Sequence, residues 1–173
     1  MALEFIKQVS GTSVVFLNTG QIFTAEYDTY FIQLELASSS TYPDIYLTDS
    51  SNNKLTTAKY DQAMLVMKAD DTFAEHKDED QAVGWREFGA YIDNEDEGYG
   101  MSFYVFNPFD SSKYTFGIAQ SASMVSNVLR GGKAIGLYKV AEQCNGLYLA
   151  NSGTVTMDYI RANIYGVKKW QVV

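Results

Sequence analysis

The sequence predicts an all-β fold: an antiparallel β-sandwich, jelly-roll-like, forming one domain over residues 1–173 with a long acidic loop insertion at 70–97. Three observations carry that expectation. Apolar and polar residues alternate in short runs. Turn-forming residues separate those runs at the spacing of an antiparallel sandwich. No interval beyond about ten residues sustains the 3.6-residue period of a helix. The length of 173 residues suits one domain, and a chain of this size buries roughly 70% of its unfolded surface without staples.

The runs justify themselves in order. In "YFIQLELAS", Tyr30, Ile32, Leu34 and Leu36 share one side while Gln33 and Glu35 take the other, the pattern of a strand with one wet face. "DIYLTD" aligns Ile45 with Leu47, and "SSNN" at 50–53 turns the chain. "QAMLVMKA" (62–69) is apolar through its centre and reads as a fully buried strand. "GMSFYVFNPF" sets Met101, Phe103 and Val105 on one face and stops at Pro108, which has no N–H for a ladder. "KYTFGIAQ" resumes with Tyr114, Phe116 and Ile118 on one side, so "NPFDSS" reads as a hairpin or short crossover. "SASMVSNVLRG" (121–131) is the best helical candidate and reads equally well as a loop with a single turn. "KAIGLYKV" (133–140), "GLYLAN" (146–151) and "TVTMDYIRANIYGVKKW" (154–170) close the chain as strands, the last as one bent strand or two.

Charge is segregated. The chain carries a net charge of −8, yet residues 70–97 hold eleven acidic residues against two basic ones, so that segment is −9 and the remainder +1. Phosphate is repelled by such an excess, which argues against nucleic acid as a partner. No segment approaches the ~20 apolar residues of a membrane helix, so membrane insertion is not expected. The N-terminal "MALEFIKQVSG" has Glu4 and Lys7 within its apolar run, unlike a signal peptide. The expectation is a soluble, unprocessed protein. Within 70–97, "VGWREFGAYI" suggests a short strand anchored by Trp85, Phe88 and Tyr91, with charged loops around 75–80 and 93–97 on an outward-facing end.

Catalytic chemistry finds little support. His76, the only histidine, sits in "FAEHKDED", where a solvated loop would leave it unoriented toward any nucleophile. Cys144 is the only cysteine; it cannot form an intrachain disulfide and reads as a small core hydrophobe. "DNEDEG" (93–98) begins like a calcium loop, but Tyr104 stands where the twelfth-position glutamate belongs; a looser oxygen cage stays open. A carboxylate pair for glycoside cleavage needs a fixed separation across a cleft, which exposed acidic loops do not supply. "RGGK" (130–133) lacks the rest of a phosphate loop. The chain is expected to be no enzyme, with no cofactor and no metal site.

Rings are in surplus: 13 Tyr, 10 Phe and 2 Trp. Strands use many of them, but thirteen tyrosines exceed the needs of one core, so several are expected outside against a partner. The candidate recognition and interface residues are Trp85, Tyr91, Tyr99, Phe109, Tyr114 and Tyr165.

"NPFDSSKYTF" with Gln120, "RGGKAIGLYKV", "NGLYLANSGTVT" and "IRANIYGVKK" together resemble small β-sandwich virion proteins of tailed, especially marine, bacteriophages. The resemblance is clearest from about Asn107 to Lys168, weaker over "ALEFIKQVSG" and "IFTAEYDTYFIQLEL", and least over 70–97. It implies a structural protein on the particle surface, in capsid decoration or a tail or fibre part. Other virion proteins would be its partners, a homo-oligomer (a trimer is the expected form) its state, and the virion, assembled in the host cytoplasm, its location. Gly131, Gly132 and Gly136 would then serve close strand approach. The alternative is a carbohydrate- or receptor-binding module that stacks a host surface glycan on Trp85, Tyr91 and Tyr99.

Overall fold

The computed structural model describes residues 2–38, 42–70, 73–86, 88, 89, 91, 98–151 and 155–168, with the side chains of 78 and 80–82 outside that description. Eleven strands occur among the described residues: β1 (Leu3–Val14), β2 (Phe16–Asn18), β3 (Thr29–Ser38), β4 (Pro43–Thr48), β5 (Tyr60–Lys68), β6 (Ala74–Ala82), β7 (Tyr99–Phe106), β8 (Thr115–Val125), β9 (Val128–Tyr138), β10 (Gly146–Asn151) and β11 (Met157–Val167). They form an eight-stranded sheet in the order β1-β11-β3-β7-β8-β9-β5-β6 and a three-stranded sheet in the order β2-β10-β4. Every pairing is antiparallel, and the described residues contain no helix. The sandwich that the alternation predicts is present, with layers of unequal width.

Alternation sorts the core as expected in most strands. Tyr30, Ile32, Leu34 and Leu36 of β3 are buried, as are Met101, Phe103 and Val105 of β7, and Ile45 and Leu47 of β4. β11 is one strand, and its Ile160, Ala162 and Ile164 join the same cluster. Three expectations change. β5 is half wet, burying Tyr60, Met64 and Val66 while its other side lies on the outer face, because the small sheet covers only one side of the large one. The best helical candidate is a hairpin: Val125 pairs with Val128, and Ser126 and Asn127 both take positive φ (52° and 65°), the geometry of a two-residue turn matched to strand twist. The 70–97 segment is no continuous loop, since β6 runs through it and pairs with β5. The expected loop around 75–80 is therefore a strand, and His76 stands half-buried on it, its ring 6.2 Å from that of Tyr42.

The turn between β7 and β8 is braced. The Asp110 carboxylate accepts the Ser112 N–H at 2.9 Å and its hydroxyl at 2.6 Å, and pairs with Lys113 Nζ at 2.9 Å. Those donors hold the Asp110 pKa well below the ordinary carboxylate value. Beside it, the Cys144 N–H donates to the Pro108 carbonyl at 2.7 Å, and the Asn107 N–H to that of Asp28 at 2.7 Å.

One ring joins the two layers. Trp85 N–H donates to the Ile45 carbonyl at 2.9 Å, and Ile45 N–H to that of Trp85 at 2.8 Å, so residue 85 extends the small sheet beside β4. Its fully buried indole lies on Gly117 and Gly136, partners across β8 and β9. A Cβ on Gly136 would stand 2.6 Å from the indole Nε1, and one on Gly117 would stand 3.0 Å from the ring. Phe88 stacks on the indole at 5.3 Å and Tyr60 meets its edge at 6.0 Å. Gly136→Ala forces that stack apart and should cost about 1–3 kcal/mol, the usual overpacking range. Gly100→Ala, where an added Cβ meets nothing within 4 Å, should leave the urea midpoint unchanged or slightly raised. Chemical denaturation of the two variants checks the difference.

Candidate assembly surface

In a sheet covered on one side only, the other face goes to water, and ladder partners share a face. The register therefore defines rows across the outer face. One row crosses all eight strands: Phe5, Tyr165, Phe31, Tyr104, Ile118, Ile135, Ala63 and Lys77. Its four rings touch, with centroid separations of 5.6 Å for Phe5–Tyr165, 6.0 Å for Tyr165–Phe31 and 5.0 Å for Phe31–Tyr104. A second row beside it carries Phe106, Phe116 and Leu137. Each such ring contact adds about 0.5–1.5 kcal/mol beyond area burial.

These side chains stay exposed: Ile135 is 59% accessible, Phe5 57%, Ile118 46% and Phe116 44%. Between Phe106 and the far edge the face is hollowed into a trough of about 1100 Å³, floored by Phe116, Ile118, Ile135 and Leu137 and rimmed by Asp61, Lys77 and Glu79. Farther along the strands the rows turn polar, through Gln33, Ser102, Gln120 and Lys133. At the end beyond those lies the β8–β9 hairpin with Met124 and Leu129, the latter 56% accessible.

Both edges of this sheet resist pairing. β1 bulges between Phe5 and Lys7, and β6 shifts register opposite Tyr60 and Gln62 and carries charges along its length. Bulges and charges are standard protection for an open edge. The apolar face has no such guard.

The six sequence-derived candidates divide. Tyr165 lies half-buried within the ring row, and Tyr114 is 46% accessible beside the β7–β8 turn. Phe109 is half-buried against the core. Tyr91 is half-buried with its ring 4.7 Å from that of Tyr42, and its carbonyl accepts the Ser123 hydroxyl at 2.7 Å. Trp85 and Tyr99 must be corrected as surface platforms: both are buried, Trp85 as the joint between layers and Tyr99 on the inner side of β7 beside Met101. The residues that sequence reasoning did not single out are Phe116, Ile118, Ile135 and Leu137. Their signal was the smallness of Gly117, Ala119, Ala134 and Gly136 in alternation with them. A row of small residues marks the side that receives bulk from an opposing layer.

A second ring group lies on the outer side of the small sheet. Phe16 stacks on Tyr148 at 4.6 Å and 16°, Tyr46 meets Tyr148 edge-on, and Lys54 Nζ lies 4.7 and 4.8 Å from the Tyr46 and Tyr148 ring centres. No cluster of three or more metal-ligating side chains occurs among the described residues; the carboxylates at 93–97, where a looser oxygen cage stayed open, fall outside them.

No family model matches the sequence, and no curated protein matches it. Solved structures of similar outline include sucrose-6-phosphate hydrolase from Lactobacillus gasseri (TM-score 0.35, 13% identity, 95% of this chain and 28% of that one). Another is the CspB protease of Clostridium perfringens (TM-score 0.29, 6% identity, 95% and 28%). A third is the attachment invasion locus protein Ail of Yersinia pestis (TM-score 0.21, 9% identity, 70% and 99%). The chain thus spans just over a quarter of the first two, and likeness at this level carries no argument about function.

Cys144 belongs to the core, and burial pushes its thiol from 9.0 up to about 12. Burial likewise raises the phenols of Tyr60 and Tyr99 above 10.0. The folded state holds these protons more tightly than the unfolded chain, so their contribution is complete below about pH 9 and is lost as pH climbs toward 12. The urea midpoint should stay level to about pH 9 and then fall, the fall beginning nearer pH 10 in Cys144→Ala. A thiol reagent at neutral pH should label Cys144 only after unfolding.

Proposed function

We propose that this chain is a non-enzymatic assembly protein of a tailed-bacteriophage particle surface, in capsid decoration or a tail part, docking through the outer face of its eight-stranded sheet. One observation carries the reading: a row of exposed and half-buried rings and aliphatic chains crosses the eight strands, with a shorter row over β7–β9 beside it, on a sheet whose edges are bulged. A typical monomer exposes no apolar patch beyond a few hundred Å² unless something covers it. The resemblance over 107–168 supports the same role, which asks no chemistry of any side chain. The charged β6 lies at one margin of the sheet, so docking by the face leaves most of the acidity outside.

A module that binds a host surface glycan is the second reading. Buried Trp85 and Tyr99 do not support it; Phe16, 44% accessible and stacked on Tyr148, does.

Light scattering at micromolar concentration should find self-association, lost in the double variant Phe116→Ser/Ile118→Ser with strand content retained. A clean monomer that docks on no particle protein sinks the assembly reading. On a glycan array, saturable binding abolished by Phe16→Ala would move the balance to recognition, and silence would leave assembly.

A further inference from the structure

The outer face carries a pattern beyond its apolarity. Along β8 and β9 four ladder pairs follow one another on this face: Ile118–Ile135, Gln120–Lys133, Ala122–Gly131 and Met124–Leu129. The sequence of sizes is apolar and large, polar and long, small, apolar and large. The first pair floors the trough and the last is the hairpin end, six residues away, or about 20 Å at ~3.4 Å per residue.

Such a series is complementary to itself when reversed. We infer that a second copy of this chain covers the face, turned about a two-fold axis that crosses the strands between the Gln120–Lys133 and Ala122–Gly131 pairs. Met124 and Leu129 of each copy then enter the trough of the other, against Ile118 and Ile135. The long side chain of Gln120 falls over Ala122, and that of Lys133 lies along Met67, whose methyl reaches over Gly131, within the ~10 Å between stacked sheets. The contact is isologous and closes as a dimer.

Area agrees with a second copy as the occupant. Phe5, Tyr104, Phe116, Ile118, Leu129 and Ile135 are each between one third and three fifths exposed, which gives on the order of 500 Å² when a full ring contributes about 150–250 Å². The half-buried Phe31, Phe106, Met124, Leu137 and Tyr165 extend it toward the roughly 800 Å² per partner of a stable complex. Charge does not oppose it: Arg161 and Glu35 on this face pair within the chain, and Lys133 meets no like charge in the reversed register. The edge route is guarded by bulges, so face-to-face stacking is the association the sheet leaves open.

This inference rests on the assembly reading and adds its partner and symmetry. Reciprocity provides the test. Sedimentation equilibrium is run on the native chain, on Ile135→Lys, on Leu129→Glu and on an equimolar mixture of the two variants. The native chain should be a dimer. Each variant alone, with both contacts spoiled, should weaken association at least about 100-fold. The mixture should recover a dimer, because one contact becomes Lys–Glu and the other stays native. Ile118→Lys with Met124→Glu repeats the design on β8, and strand-type circular dichroism verifies folding of all four. A native trimer, a dimer that persists in a single variant, or a mixture that stays monomeric overturns the two-fold arrangement while leaving assembly by this face standing. A native monomer that docks on nothing overturns both.

Discussion

The seating of Trp85 on a pair of glycines is the contact on which the rest of the structure depends. Its backbone is stitched to Ile45 of the small sheet, while its indole occupies the space that Gly117 and Gly136 leave on the large one. Glycine weakens a strand by roughly 0.5–1 kcal/mol, and here two of them face each other in adjacent strands. A fully buried aromatic is worth several times that, since truncating one costs about 3–5 kcal/mol. The trade ties a segment of the acidic region to both layers at once and sets the spacing of the sandwich there.

That arrangement has a consequence on the opposite side. Where β8 and β9 present glycine and alanine inward, their bulky residues have only the outer face to occupy. The same alternation that elsewhere in the sheet sends Phe103 and Ile32 into the core sends Phe116, Ile118, Ile135 and Leu137 out of it. The exposed residues of β8 and β9 are thus the complement of the tryptophan socket, and the packed joint and the proposed docking face are two sides of the same two strands.

Exposure of this kind is hazardous in an open sheet, because unpaired strands invite edge-to-edge growth. Here the two risks are separated. The margins are bulged at β1 and shifted and charged at β6, while the apolar rows cross the interior of the face. In the assembly proposed above, association would therefore proceed by stacking, in which side chains rather than backbone groups choose the partner. That favours a closed, countable assembly over an indefinite ribbon.

Much of the fold was legible in the sequence. Alternation located most strands, Pro108 and "NPFDSS" marked a turn, and Tyr30, Ile32, Leu34, Leu36, Met101, Phe103 and Val105 declared their common inward side. Period-2 patterning does this because it is a local property of a pleated chain. It cannot say which of two apolar sides faces the other layer, and so the outward course of Phe116 and Ile118 depends on Trp85, which arrives from 31 and 33 residues away. For the same reason Trp85 and Tyr99 passed for surface rings, and residues 121–131 for a helical candidate until Ser126 and Asn127 closed a turn that strand pairing alone rewards. Local chemistry decided where the strands lie; contact between distant segments decided what each strand shows to water.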